Sequence, residues 1–492
     1  MTATPLRARA AARLWSGFAR ASGRAFEIDL RSLALLRVGL GAMLLVDLAR
    51  RARFLERDYT DLGRLPAEAL APYGAFATRN LHTWASGEPA AVAALFALQA
   101  LFALALLLGW HTRIATGLCW VMVTSLQWRN PGLNLGGDVM MRLMLFWGLF
   151  LPLGARASLD ARRRSGPPPA DAFASWATAA VLLQMGLTYW MALLHRGAGT
   201  LWWSGDALYF ALHYDQFATR FAVWLRQFET ILPALTYLTL AWETAGPVLA
   251  ISPFGQPWLR GLAVAGFVAL HLGIAACFRL DLFGPEFAAI WMGFLPGAFW
   301  DALARRIPTL RRAEGTPLRV PAAAQAAVAV LLVYVVAINE STLERVHPSL
   351  RLPEGWTRPA ELLRIDQRWA LFAPDPPRYD GWYVMAGRTA DGREVDLLRG
   401  GAPKTWDKPP VVSALVDPRT RRYLASFELQ SGDPRWPFYV AWLCREANAR
   451  RAGPDRLLRV NVYYVRETTT LQGPVRGEIL NLASGDCTED GG

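Results

Sequence analysis

Nine long apolar segments between residues 32 and 339 constrain this chain more than any other feature of its sequence. Each has 15 to 22 residues, and a helix needs about 20 mainly apolar residues to cross the hydrocarbon core of a bilayer. Only 19% of the residues are charged, against about 25% in soluble domains. The sequence therefore predicts an α-helical polytopic membrane bundle of about nine transmembrane helices, followed by a smaller α+β domain.

The predicted helices are separated by short loops. In order, they span residues 32–49, 90–109, 114–128, 139–154, 173–194, 231–251, 261–278, 286–300 and 320–339. The segment 202–228 mixes aromatic and charged residues, and it is predicted to lie at the membrane surface or to form a re-entrant loop.

Positive charge is clustered at the ends of the apolar segments and predicts their orientation. The net charge is +12, and all cationic residues except Lys404 and Lys408 are arginines. Arginine clusters in the N-terminal segment 1–31 and in the loops at 162–164 and 305–312 favour the cytoplasmic side. The cluster at 50–53 falls on the opposite side and contradicts this orientation. Because no basic stripe with interleaved aromatics is present, the charge does not indicate nucleic-acid binding.

The remainder, residues 340–492, is richer in charge, proline and glycine and contains no apolar segment long enough to span a membrane. A hairpin at 381–398 turning at Asp391-Gly392, a strand at 457–468 and an amphipathic helix at 436–450 predict an α+β domain. With residues 32–339 as the membrane domain and the N-terminus cytoplasmic, nine crossings place this domain outside the cell membrane. Cys444 and Cys487 lie in it, either as a disulfide or as two free thiols.

Ionisable residues inside apolar helices are costly and therefore indicate candidate sites. Asp138 and Arg142 are four residues apart on the fourth predicted helix and are able to pair directly. His271 and Glu243 lie deep in the seventh and sixth helices, and Arg37 is either a partner for Glu243 or a residue that reaches the inner surface. The histidines show no metal-ligand spacing, so no metal site is predicted.

Several phrases of the sequence have a familiar order and spacing. They are RVGLGAMLLVDLARR, YTDLGRLP, RNPGLNLGGDVMMRLMLFWGLFLPLG, LHRGAGTLWWSGDALYFALHYDQF, HLGIAACFRLDLFGPEFAAIWMGFLP and QRWALFAPDPPRYDGWYV. Together they resemble bacterial members of the HTTM (horizontally transferred transmembrane) family, which shares its membrane region with the vitamin K-dependent gamma-carboxylases.

The resemblance implies a quinone or vitamin K-like cofactor and a membrane-embedded catalytic lysine just before a Trp-x-x-Gly phrase. In this chain that phrase runs from Trp202 to Gly205, and His195 and Arg196 stand near the lysine position. Arginine does not lose its proton in proteins, so Arg196 is a poor base. Carboxylation is therefore not expected, although His195 is able to transfer a proton.

The ionisable residues of the predicted helices and the residues near the Trp-x-x-Gly phrase together predict one polar cavity that opens outward beneath the C-terminal domain. Its predicted catalytic residues are Asp138, Arg142, His195, Arg196 and His271, and its predicted substrate-binding residues are Trp202, Trp203 and Asp281. The corresponding function is a membrane enzyme that acts on a lipid, quinone or peptide substrate from the outer face of a bacterial inner membrane. The alternative is a non-catalytic scaffold or assembly factor, and a transporter is a weaker third hypothesis because broken inverted repeats are not evident.

Overall fold

The structure is a computed structural model that describes residues 23–343, 352–353, 355–427 and 432–487. Most of the predicted basic segment 1–31 lies outside the described residues. The helices of the bundle are α1 (Leu30–Ala52), α2 (Pro89–Leu108), α3 (Thr112–Arg129), α4 (Gly136–Gly148), α5 (Trp176–Arg196), α6 (Leu232–Ala250), α7 (Trp258–Cys277), α8 (Phe283–Met292), α9 (Gly297–Ala304) and α10 (Ala322–Ser341). Shorter helices connect them at Leu55–Tyr59, Ala75–Thr78, Leu81–Ala85, Leu159–Arg163, Leu201–Ser204, Ala207–Leu212 and Arg220–Leu225.

Every predicted membrane segment contains a helix, but these helices differ in length and polarity. Five of the described helices (α1, α2, α5, α7 and α10) are long and apolar enough to cross a membrane, or six if α8 and α9 form one bent span. Helix α4 has 13 residues, about 20 Å at 1.5 Å per residue, which is shorter than the hydrocarbon core. The chain is thus an integral membrane protein with five or six candidate spans, and a count of about nine is not confirmed.

The prediction of one continuous helix over residues 286–300 is wrong. Helices α8 and α9 meet at an angle of 78° across a break of four residues. The break ends at Pro296, which has no backbone N–H to continue a helix. At its other end Gly293 lies against α1, where an added Cβ would come within 2.7 Å of the Leu36 Cβ. Close packing and the proline together explain the bend.

The bundle is built on close contacts between its first helices. A Cβ at Gly41 of α1 would lie 2.7 Å from the Leu107 Cβ of α2, so the missing side chain lets the two backbones approach, as small residues do in membranes. Helix α5 is largely enclosed, whereas α2, α7 and α10 leave most of their surface exposed. Exposed leucines on α2, such as Leu101, therefore form an apolar outer surface suited to lipid.

The C-terminal domain is built on one antiparallel sheet with the strand order β5-β4-β3-β6-β7. Its strands are β3 (Tyr379–Thr389), β4 (Glu394–Asp396), β5 (Ala402–Pro403), β6 (Leu457–Thr470) and β7 (Gly473–Asp486). The other two strands, β1 (Ile28–Asp29) and β2 (Ala172–Phe173), pair with each other next to the helices of the bundle. Its helices are α11 (Arg358–Leu363), α12 (Pro418–Ala425) and α13 (Arg435–Asn448). The predicted hairpin, strand and amphipathic helix are confirmed, and Gly392 supplies the left-handed turn residue with φ of 87°.

Cys444 and Cys487 form a disulfide that ties α13 to the end of β7. The sequence left a disulfide and two free thiols open as alternatives, and the structure shows the disulfide. The other two cysteines, Cys119 and Cys277, are free and buried.

The C-terminal domain packs against one end of the bundle. At this end Arg57 pairs with Asp417 at 3.0 Å, and Gln216 donates to the Tyr464 hydroxyl at 2.7 Å. The arginine-rich loops at 162–164 and 305–312 lie at the opposite end, beside the start of α1, where Arg31 donates to the backbone oxygen of Leu310. The domain and the arginine clusters therefore occupy opposite ends of the bundle.

Candidate functional site

A cavity of about 550 Å³ lies between the helices and the C-terminal domain. Most of its wall is apolar, and its aromatic members are Tyr189, Phe217, Phe283, Phe287, Trp369 and Phe372. Only a few polar side chains interrupt this wall. A largely apolar cavity of this volume with a small number of polar groups has the form of a small-molecule binding site.

An ion pair between Arg196 and Glu243 provides one polar group of the cavity wall. Nη1 of Arg196, at the end of α5, donates to Oε2 of Glu243 in α6. The guanidinium also stacks on Trp202, with 3.8 Å between its central carbon and the ring centroid. Arg37 is not the partner of Glu243, because it donates to the backbone oxygen of Leu106. The buried pair places a fixed polar anchor in an otherwise apolar wall.

His271 of α7 also lines this cavity and is 2% exposed. Its Nε2 lies 2.8 Å from the Tyr189 hydroxyl, which accepts a hydrogen bond from Nε1 of Trp291. Because an indole N–H only donates, the tyrosine keeps its own proton to donate to Nε2, and a neutral imidazole then carries its proton on Nδ1. Within the described residues Nδ1 has no hydrogen-bond partner. His271 therefore offers an unused donor at the cavity wall.

Residues 367–375 cross the end of the bundle and cover the cavity. Gln367 exchanges hydrogen bonds with Gln184 of α5, the shorter at 2.7 Å. Trp202 Nε1 donates to the backbone oxygen of Phe372 at 2.8 Å, and Asp375 accepts from the backbone N–H groups of residues 200 and 201. This cover is the start of the sequence phrase QRWALFAPDPP, so that phrase folds over the cavity.

Asp138 belongs to a separate group of charged residues, most of them buried, which we call the ion-pair network: Asp47, Arg50, Arg51, Asp138, Asp281 and Arg419. Arg419, from α12 of the C-terminal domain, reaches Asp138 at 3.0 Å, Asp47 at 2.6 Å and Asp281 at 2.8 Å. Arg51 pairs with the second oxygen of Asp138. Asp138 thus pairs across the bundle with α1 and the C-terminal domain, and not with Arg142 as the sequence indicated.

Arg142 lies beyond the cavity wall too, and its contacts hold the chain between α11 and β3. Its guanidinium pairs with Asp366 at 3.1 Å, donates to the backbone oxygen of Arg364 at 2.9 Å and donates to Gln127 at 3.1 Å. The side chain is buried. Of the residues predicted to line one cavity, the structure brings Arg196 and His271 together and places Asp138 and Arg142 elsewhere.

The remaining predicted residues occupy two places. His195 and Trp203 line a second cavity of about 490 Å³, which shares only the cover residues 368 and 370 with the first. His195 Nε2 lies 3.2 Å from the Thr342 hydroxyl, and Trp203 is 52% exposed. Asp281 is in the ion-pair network, where it also pairs with Arg50. His195 is therefore not beside Arg196 in the cavity, although the two are consecutive in sequence.

An apolar groove of about 470 Å³ runs between α6 and α7 on the outside of the bundle. Leu270 and Ile274 line both this groove and the cavity, so one pair of side chains separates the two spaces. Gly273 leaves the α7 side of the groove open, whereas Trp242 of α6 packs directly against Gly266. The groove gives the cavity an apolar neighbour on the lipid-facing surface.

A second buried acidic group lies where the sheet meets the segment after α5. Asp380 of β3 is buried, and its Oδ2 accepts the backbone N–H of Asp215. Burial, together with the negative charge of Asp215, raises the pKa of Asp380 to about 8. Lys408 bridges Asp215 and Glu467 nearby. This group is outside the membrane helices and belongs to the packing of the domain.

Three important residues were not singled out from the sequence: Tyr189, Arg419 and Arg422. Tyr189 gave no local signal, because an aromatic residue in an apolar helix is ordinary. The Asp417-Pro418 pair is a helix start signal that predicts α12, but it does not indicate which face of α12 contacts the bundle. The contacts of Arg419 and Arg422 depend on how the C-terminal domain packs against the bundle, which the sequence does not show.

No model of a known protein family, no curated protein and no solved structure matches this chain.

Proposed function

We propose that this protein is a multi-pass membrane protein of the HTTM type that binds a lipid-soluble ligand in the cavity lined by Arg196, Glu243 and His271. The observation that carries the proposal is the combination of an apolar cavity of about 550 Å³ with a buried ion pair and an unused histidine donor. The apolar wall accommodates the body of such a ligand, and the polar groups orient its head.

The proposed orientation places the C-terminal domain outside the cytoplasm of an inner membrane. Two observations support it: the arginine-rich loops lie at the end opposite the domain, as the positive-inside rule requires, and the domain contains a disulfide, which favours an oxidising compartment. The cluster at 50–53 no longer contradicts this orientation, because Arg51 and Arg50 are engaged in ion pairs with Asp138 and Asp281.

Exposed tryptophans support the same placement by marking both ends of the bundle. Trp84, Trp203 and Trp224 lie at the end near the C-terminal domain, and Trp110, Trp176 and Trp258 lie at the other end. Tryptophan is enriched at both membrane interfaces. Since α3, α4 and α6 run between these same two ends, we include them in a proposed count of nine crossings. A reporter fused after Gly492 should give an extracytoplasmic signal, and one inserted at 162–164 should give a cytoplasmic signal. Matching signals from the two positions would contradict the count.

The chemistry of the carboxylases is not part of the proposal. Near the position of their lysine this chain has His195 and Arg196, and Arg196 is held by Glu243 and stacked on Trp202. A guanidinium stays protonated in proteins, so it anchors a polar head and does not deprotonate one. A quinone remains one ligand suggested by the resemblance, and a peptide substrate would have to enter from the outer face.

The scaffold alternative is supported by a different observation. Asp138, Arg51 and Arg419 hold the domain to the bundle with fully buried charges, which is the arrangement expected of residues that keep parts together. The two functions differ in what they predict for the cavity. A ligand-binding protein should hold a small molecule there, whereas a scaffold requires none.

Native mass spectrometry of the protein purified in nanodiscs tests the proposal. We expect a bound small molecule in the wild type and its loss in Ala192→Phe, which fills the cavity wall. Leu101→Phe on the exposed face of α2 is the control for added volume. Equal retention of the molecule by both variants, or its absence from the wild type, would favour the scaffold.

A further inference from the structure

The charged residues of the cavity wall are Arg196, Glu243, Arg368 and Arg422. Glu243 neutralises Arg196. Arg422 comes from α12 of the C-terminal domain, and its Nε donates to the backbone oxygen of Asn134 at 3.2 Å, which is an uncharged acceptor. A cation with only neutral acceptors at an apolar wall favours a negatively charged ligand group.

The surroundings of Arg422 support this interpretation. Burial lowers the pKa of its guanidinium, and the groups that oppose this are the tyrosines Tyr73 and Tyr214. Asp138 is close in sequence to Asn134, but its carboxylate pairs with Arg51 and Arg419. The cation therefore lines the cavity, and no carboxylate among the described residues pairs with it.

Two further donors at the same wall have no partner. Nδ1 of His271 and Nε of Arg196 are buried N–H groups without a hydrogen-bond acceptor among the described residues. Leaving a buried donor unpaired is costly, so a ligand oxygen that reaches either N–H group after a small shift of its side chain would stabilise the wall. The rest of the wall, and the groove beyond Leu270 and Ile274, is apolar.

We propose that the ligand is an amphiphile with an anionic oxygen head, a carboxylate or a phosphate, bound at Arg422 with its apolar body in the aromatic part of the cavity. This inference rests on the proposed function, since it names the head of the ligand that the cavity binds. It assigns to the C-terminal domain a direct contact with the ligand, because Arg422 belongs to α12.

The test compares cis-parinaric acid with its methyl ester, which has the same chain and no charge. Binding to the protein in nanodiscs is followed by energy transfer from tryptophan, with Trp369 in the cavity wall, and empty nanodiscs give the background. We expect the acid to bind at least about tenfold more tightly than the ester, because a charge-assisted hydrogen bond contributes that much. The preference should fall to about threefold or less in Arg422→Gln and persist in Arg422→Lys.

Arg459→Gln removes an exposed arginine that pairs with Asp486 on the sheet, and it should keep the full preference. Dodecyl phosphate should displace the bound acid, whereas inorganic phosphate at the same concentration should not. Equal binding of acid and ester by the wild type would overturn the inference even if Arg422→Gln did not fold. Displacement by inorganic phosphate would overturn the amphiphile assignment. Absence of binding by both probes would instead contradict the proposed function.

Discussion

The cavity and the ion-pair network both contain polar residues buried within the protein, yet they are organised differently. In the network, Asp138 is buried and pairs with two arginines. In the cavity, His271 has an unused donor beside about 550 Å³ of space. A charged residue in a membrane helix therefore indicates a ligand site only where open space adjoins it. Elsewhere it holds the fold together.

Single substitutions on one face of α12 should separate the ion-pair network from the cavity most clearly. Arg419→Ala should lower the free energy of unfolding by about 3 to 5 kcal/mol, because it leaves buried carboxylates without a partner. Arg422→Gln, one turn further along, should cost about 1 kcal/mol or less. Thermal unfolding in detergent measures both. If the two substitutions are equally destabilising, the division between network and cavity is wrong.

A smaller effect is expected at Arg142, whose partner is Asp366 and not Asp138. Arg142→Met should destabilise the protein by about 2 to 3 kcal/mol through lost charge-assisted hydrogen bonds. Asp138 has ion-pair partners other than Arg142, so combining Arg142→Met with Asp138→Asn should lower the stability further and should not restore it. A double mutant more stable than Arg142→Met alone would show that Asp138 and Arg142 are a pair after all.

The smallest effect concerns Asp380, whose pKa is raised to about 8. Its carboxyl keeps a proton in the folded protein that the unfolded chain releases near pH 4. Its contribution to stability is present below that pH and is lost as the pH rises toward 8. Asp380→Asn should therefore gain stability relative to the wild type as the pH rises from 4 to 8, with no advantage near pH 4. If the unfolding midpoints of Asp380→Asn and the wild type change in parallel between pH 4 and pH 8, the raised pKa of Asp380 is contradicted.

The sequence predicted the helices well, because long apolar segments and caps are local signals. It also contained the signal for the bend between α8 and α9, since a Gly-x-x-Pro break stands at residues 293–296. The partners of the buried charges could not be predicted in this way. Asp138 pairs with Arg419, 281 positions away, and no local spacing encodes that contact. The i, i+4 rule favoured Arg142 because it considers one isolated helix.

The cavity was predicted in part for the same reason. Counting along the helices predicted Arg196 at the outer end of the fifth helix and His271 near the middle of the seventh, and both line the cavity. Arg422 and the cover at 367–375 come from the C-terminal region, and their position depends on how the domain docks. Sequence reasoning identifies the polar residues of each helix, whereas the docked domain decides which of them meet open space.

The most direct test of the central claim is a cryo-electron microscopy map of the protein purified in nanodiscs at a resolution that shows side chains. We predict ordered non-protein density in the cavity, in contact with the Arg196–Glu243 pair and His271, and none within the ion-pair network. An empty or collapsed cavity, or ligand density at Asp138 in place of Arg419, would contradict it.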